Sequence, residues 1–291
     1  MSIARIESSS LSVSIDTYGA QLMSVQDAER TEYLWQGDEK YWKDRALTIF
    51  PYVARLNGGK YLLNSIEYTM PIHGLAPYKD FHIADKREDR VTLELGYDEE
   101  TYASYPYHFS FQIVFSLDAN KLFTEYIVEN NDDRIMYFGL GGHPGFNVPF
   151  RGGSFEDYYL RFHQKCNPKR IEFTESCLRS GLESSFSLES DSILRLDHSL
   201  FDNDAIVLKD TCREISIEGK EETHSITVRF PDMPYVGIWH APHTDAPYVC
   251  IEPWCSLPAK QSEIVELEKQ DDLLSVKPYS EFHTKWEIEI G

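Results

Sequence analysis

Five polar side chains in this chain stand where their neighbours read as buried strand or tight turn: Arg55, His73, His143, Asp204 and Glu252. Glu252 ends the apolar run Tyr248-Val249-Cys250-Ile251 and is followed by Pro253 and Trp254. A carboxylate there is costly to bury, so it is expected to be paired, to have a shifted pKa, or to work as a base. His143 sits in Gly139-Leu140-Gly141-Gly142-His143-Pro144-Gly145-Phe146-Asn147-Val148-Pro149, just past the apolar run Met136-Tyr137-Phe138. Pro144 restricts His143 to extended backbone, and the glycines and prolines exclude a helix. An imidazole on a stiff, turn-like backbone beyond a strand end is expected, with small neighbours that leave room for a ligand. His73 is bracketed in Met70-Pro71-Ile72-His73-Gly74-Leu75-Ala76-Pro77, and Arg55 follows the mostly apolar 46–54 stretch. A cation placed there needs a partner or ligand, unless it emerges to solvent at the Asn57-Gly58-Gly59 turn. Asp204, within Leu200 to Leu208, abuts a strand and could accept hydrogen bonds from hydroxyl groups. Each residue also has a plain structural reading, such as a histidine satisfied by a local carbonyl or a glutamate capping a loop amide.

Together these residues make one carboxylate, two loop histidines and an arginine, with Trp239, Trp254 and Phe146 as nearby aromatics. General acid–base chemistry needs a base and an acid on opposite sides of a substrate, each contributing roughly 10²–10⁴ in rate. Glu and His meet that need without a metal or cofactor. No GxGxxG, GxxxxGK[ST] or nucleophile-elbow stretch supports nucleotide binding or serine hydrolysis. Three other chemistries compete. His73, His143 and Glu252 could form a two-histidine, one-carboxylate metal site, although the HxH spacing of small β-barrel sites is absent. Glu252 with Asp204 could serve a glycosidase, whose two carboxylates stand about 5–10 Å apart. A binding module without catalysis would use the same aromatics.

Composition narrows the partners. Twenty-eight Lys and Arg against 48 Asp and Glu leave a net charge of −20, which opposes nucleic acid and anionic membranes. The five cysteines are an odd count with no CxxC pair, so neither a disulfide framework nor a zinc knuckle is supported. The N-terminus lacks a basic-then-apolar leader, and no apolar run approaches the ~18 residues that span a bilayer. A soluble, cytoplasmic monomer or homodimer is expected.

The elements that must position these residues are strands. Leu11, Val13 and Ile15 alternate with polar residues, as do Val91, Leu93 and Leu95. Phe109, Phe111, Ile113, Phe115 and Leu117 line one face of a long strand. The Asp118-Ala119-Asn120 turn then feeds its hairpin partner, Leu122 to Val128, and Trp286, Ile288 and Ile290 repeat the pattern near the end. About twenty candidate strands emerge. Helical signals are confined to Asp38–Asp44 and a weak amphipathic candidate at Gln261–Leu274. The Ser-rich Glu175–Ser192 stretch reads as a surface excursion. Strands without intervening helices imply an all-β fold of antiparallel sheets packed face to face, and no linker divides residues 1–291.

These residues resemble the aldose 1-epimerases, the galactose mutarotase-like family, and within it the LacX-type branch. The carrying segments are Phe50 to Tyr61, Pro71-Ile72-His73-Gly74, Gly141 to Phe146, Leu200 to Leu208, Gly237 to Pro242 and Val249 to Trp254. The resemblance implies a large antiparallel β-supersandwich with few short helices, a sugar substrate and no cofactor. It implies that Glu252 is the general base at the C1 hydroxyl and His143 the general acid at the ring oxygen. Protonated His143 and ionised Glu252 are expected near neutral pH. Arg55 and His73 would hold sugar oxygens, with Asp204 as a further sugar contact. Trp239 or Phe146 is expected to floor the sugar. The implied reaction is anomer interconversion of a hexose. An unphosphorylated hexose such as galactose or glucose is favoured, although Arg55, Lys79 and Arg229 are available to a 6-phosphate. Asp202-Asn203-Asp204 and His143-Pro144-Gly145-Phe146 depart from the well-studied galactose mutarotases.

Overall fold

The computed structural model describes residues 2–220, 223–262 and 264–291. Period-two patterning becomes two large antiparallel sheets, one of nine strands and one of seven, with smaller sheets of two or three strands around them. The hairpin read from sequence lies inside the nine-stranded sheet, next to its central strand Ser280–Ile290. Phe109–Asp118 pairs with Lys121–Asn130 in unbroken register from Asp118↔Lys121 to Phe109↔Asn130. The C-terminal strand Ser280–Ile290 pairs along the other edge of Lys121–Asn130, which closes the chain's end into the core.

The sheets pack face to face through one continuous apolar cluster. Phe111, Tyr126 and Ile288 from the larger sheet meet Phe146, Val249 and Ile251 from the smaller. Burying aliphatic and aromatic side chains contributes roughly 1.5–3 kcal/mol each, so a cluster of this size dominates folding. Alternation then sends every second residue of the seven-stranded sheet to its outer face. There lie Tyr248, Cys250 and Trp254 in two small satellite clusters.

Two helical expectations are corrected. Asp38–Asp44 is a tight turn closed by an Asp38↔Trp42 bridge, not a helix. The Asp38 carboxylate accepts from the Lys40 backbone N–H at 2.9 Å, the local capping that draws Asp out of helices. Gln261–Leu274 condenses to one 3-10 turn at Leu267–Lys269, with Glu263 outside the described residues. Among the described residues the α-helix is Glu99–Ser104, set by a capping box between Asp98 and Thr101. The Ser-rich stretch is partly an edge strand, Arg179–Ser185. Among the described residues no helix is long and apolar enough to cross a membrane.

Candidate active site

The centre of the site is a gap in a strand ladder. Strand Gly141–Asn147 pairs with Tyr248–Trp254 at Gly141↔Trp254 and again from Gly145↔Cys250, with no paired residues between. Pro144 and Pro253 lie on the facing strands inside that gap, and proline has no N–H to give a ladder. The register on both sides sets His143 opposite Glu252. Their side chains meet with Nε2 to Oε2 at 3.3 Å, both buried. His143 therefore lies within a strand rather than on a turn beyond one. The reason is packing: a Cβ at Gly141 would meet Trp254 at 2.7 Å, at Gly142 Trp286 at 2.9 Å, and at Gly145 Trp42 at 3.0 Å. The glycines are there for close approach of indoles, and the strand continues through them.

Parity decides which neighbours face the site. Glu252 shares the outer face with Cys250 and Trp254, while Val249 and Ile251 point into the core. By the same rule Phe146, three positions from His143, belongs to the opposite face. It is 1% exposed within the main core. Phe146 therefore does not floor a ligand; that expectation is corrected. Trp42 lines the cavity, as Trp239 does, its ring tilted 30° over His143 with centroids 4.8 Å apart. Trp239 meets Trp42 edge-on at 5.6 Å. The Trp35 indole N–H donates to the Trp42 carbonyl at 2.9 Å and pins the turn.

Arg55 and His73 arrive on two loops stitched together by their backbones. The His73 N–H donates to the Ala54 carbonyl at 3.0 Å, and the Leu75 N–H to the Phe50 carbonyl at 2.7 Å. The His73 and His143 rings stand edge to face, 5.3 Å apart. Arg55 is exposed at the rim of the cavity rather than buried under it. Asp204 is held on the far wall: Trp239 Nε1 donates to Oδ1 at 2.8 Å and Cys177 Sγ to Oδ2 at 3.1 Å. Four residues of this wall and rim, Ala54, His73, Cys177 and Asp204, have φ between 50° and 68°. Non-glycine residues in that region cost of order 1–3 kcal/mol each and collect at binding sites.

These groups enclose a cavity of about 270 Å³. Cys177, Trp42, Asp44, Tyr78 and Trp254 line it as well and were not singled out from sequence as site residues, except Trp254 as a nearby aromatic. Buried Nδ1 atoms of both His73 and His143 have no hydrogen-bond partner among the described residues, as expected of polar atoms awaiting a ligand.

Burial works against the expected charge pattern. Burial, with His73 beside it, holds His143 well below its usual 6.5. Burial, reinforced by Asp204 and opposed by the Trp254 indole, raises Glu252 well above 4.5. Desolvation thus opposes both charges and disfavours carboxylate with imidazolium relative to carboxylic acid with neutral imidazole. The two arrangements carry the same number of protons. The pair is one proton shared between two sites. His143, Cys250 and Glu252 also place donor atoms within 4.8 Å of one another. Burial pushes the Cys250 thiol and the Glu252 carboxyl towards their protonated, poorly ligating forms.

Burial, then Arg55, pushes His73 down to about 4, so it is a neutral hydrogen-bonding group near pH 7. The unfolded chain binds this proton near 6.5 and the folded chain near 4. Stability is therefore full above 6.5 and declines as pH falls towards 4, by about 3 kcal/mol. His73→Asn, which keeps a residue tolerant of φ 63°, should lose this dependence. Guanidinium unfolding at pH 7.5 and 4.5 would show the variant gaining on wild type at the lower pH; parallel curves would contradict it.

A family model for aldose 1-epimerase matches residues 2–262. The plasmid-encoded protein LacX of Lactococcus lactis subsp. lactis is 30% identical over 291 residues, covering 96% of each chain. The solved structure of a galactose mutarotase related enzyme from Lactobacillus acidophilus superposes with a TM-score of 0.94 at 30% identity, covering 100% of this chain and 97% of that one. A galactose mutarotase-like protein from Lactobacillus casei ATCC 334 gives 0.94 at 27% identity, with full coverage of both. The strand-built carboxyl–imidazole pair, the all-β architecture and these matches agree, and the chain belongs to the aldose 1-epimerase family, isomerases that act on carbohydrates.

Proposed function

We propose that this protein interconverts the α and β anomers of an unphosphorylated hexose such as galactose or glucose. The carrying observation is the buried His143–Glu252 pair at 3.3 Å, opening on a cavity lined by hydrogen-bonding groups. When sugar hydroxyls enter, they supply hydrogen bonds to charge, and the shared proton moves from Glu252 to His143. Glu252 then removes the proton from the C1 hydroxyl while His143 gives its own to the ring oxygen. The C1–O5 bond breaks, leaving an open-chain aldehyde and a neutral pair. Rotation about C1–C2 presents the other carbonyl face. The C5 hydroxyl attacks it, giving its proton to His143 while Glu252 returns one to O1. The burial that keeps the pair neutral favours this open-chain stage, which is where an anomerase needs help. His73 and Arg55 hold sugar oxygens near C1, and Asp204 accepts from a hydroxyl on the Trp239 side.

Charge supports a neutral sugar. With the one-proton His143–Glu252 pair neutral overall, the cavity is lined by two further carboxylates, Asp44 and Asp204, against one guanidinium, Arg55. Lys79 is committed to Glu100 at 2.6 Å. Arg229 is committed to Glu214, Glu287 and Glu289 on the nine-stranded sheet. Neither cation lines the cavity, so a phosphate would meet more repulsion than attraction.

Optical rotation after dissolving α-D-galactose or α-D-glucose, and NMR exchange for glucose 6-phosphate, test the reading. Acceleration on the free hexoses is expected, with glucose 6-phosphate poorest. The rate should show no loss as His143 would ordinarily deprotonate at 6.5, because burial holds its pKa well below that and the active pair holds one proton in either arrangement. A limb centred at 6.5, or preference for the phosphate, would count against it.

A further inference from the structure

Asp44 is the one cavity-lining carboxylate for which no protein donor is evident among the described residues. Asp204 has both oxygens engaged, by Trp239 and Cys177, and Glu252 has His143. The side chain of Asp44 is half-buried and lines the cavity beside Trp42. The neighbouring cation does not turn to it: Arg45 Nη1 donates to the Met23 carbonyl at 2.6 Å and to Gln36 Oε1 at 2.8 Å. Its backbone is nonetheless fixed. The Arg45 N–H donates to Gln21 Oε1 at 2.6 Å. On the other side, Gly37, at φ +72°, lies so close under the Lys43 carbonyl that a Cβ would come within 2.5 Å. A half-buried carboxylate that lines the cavity on a fixed turn, with no donor evident among the described residues, is placed to accept from a molecule in that cavity. Burial, with only exposed Lys43 opposing it, makes its charge costly until a donor arrives. Tyr78 also lines the cavity, and its phenol is pushed up by burial and then by the Asp44 charge. Asp44 thus belongs to the part of the lining that includes Trp42 and Tyr78, whereas Asp204 is tied to Trp239.

We propose that Asp44 is a substrate-contacting, specificity-determining residue. Its carboxylate accepts hydrogen bonds from hydroxyls on the part of the hexose away from C1, and repels a hexose carrying a phosphate there. This rests on the anomerase reading of the same site. Acceptance and repulsion are two effects of one charge: neutral polyols gain a charge-assisted hydrogen bond, and anionic sugars meet a like charge in a half-dry pocket.

The test uses Asp44→Ala and Asp44→Asn with D-galactose and glucose 6-phosphate. Binding is read by quenching of tryptophan fluorescence, since Trp42 and Trp239 line the cavity, and turnover by NMR anomer exchange. Asp44→Ala should raise Kd and KM for galactose roughly 10-fold or more, with kcat changed by less than about 3-fold. Asp44→Asn keeps an acceptor without the charge. It should recover part of the galactose affinity and narrow the preference for galactose over glucose 6-phosphate by roughly 10-fold. Unchanged galactose Kd in Asp44→Ala, or an unchanged preference in Asp44→Asn, would overturn the assignment. Galactose binding without anomer exchange in wild type would sink the Glu252–His143 chemistry alone, and the Asp44→Ala Kd would still decide this claim. Wild type that binds neither sugar would overturn both.

Discussion

Glu252→Gln should lower kcat for galactose mutarotation by about 10²–10⁴, with KM moved far less. Glutamine preserves the shape and can still hydrogen-bond a sugar hydroxyl, but it cannot take the C1 proton. His143 also loses the group with which it shares that proton across 3.3 Å. The same substitution should leave folding stability unchanged or raise it. Burial raises Glu252 well above its usual 4.5, so the folded chain resists the charge that glutamine removes. Activity falling while the guanidinium midpoint holds separates chemistry from structure. A variant that keeps full kcat would place the base elsewhere, and one that unfolds would make Glu252 a structural group.

Gly74→Ala should be the most damaging single methyl in the site, costing about 3 kcal/mol or more. Gly74 has φ +81°, and a Cβ built there would lie 2.3 Å from the Phe50 carbonyl oxygen and 2.6 Å from the Pro51 nitrogen. Both are backbone atoms that cannot swing aside. The Phe50 carbonyl accepts from the Leu75 and Ala76 N–H groups, so the contact is part of the stitching that carries His73. Relief requires the 50–55 and 71–76 segments to separate, which would displace Arg55 and His73 together. Chemical denaturation should show the loss, and galactose KM should rise in the fraction that folds. A midpoint within about 0.5 kcal/mol of wild type would mean the two loops are free to move apart.

The fold was largely legible because strand patterning with a buried face is a strong signal. Phe109 to Leu117 and Leu122 to Val128 could be paired from sequence alone, and they pair as read. Sites whose residues announce themselves by being polar in apolar surroundings were legible too: Glu252, His143 and His73 converge, with Asp204 and Arg55 on the wall and rim. What failed was parity and surroundings. Phe146 differs from His143 by an odd number of positions, so in a strand it faces the core; the error came from taking Gly141–Asn147 as a turn. Those glycines answer to indoles from Trp254, Trp286 and Trp42, contacts that no local pattern announces. Trp42 and Asp44 were missed because their turn carries the charges and aromatic spacing of a short helix. The charge state of the pair depends on burial from several strands at once, which no single segment carries.

The central claim is proton traffic between Glu252, His143 and a sugar, and exchange NMR of D-galactose in deuterium oxide tests it most directly. Two-dimensional exchange spectra should show enzyme-dependent α-to-β cross-peaks for the C1 proton, with that proton and the C2 proton both retained. Ring opening by O1 deprotonation and O5 protonation moves only hydroxyl protons, so carbon-bound protons stay. Deuterium entering C2 would show a different isomerase chemistry, and galactose that binds without exchange cross-peaks would leave the buried pair without its proposed role.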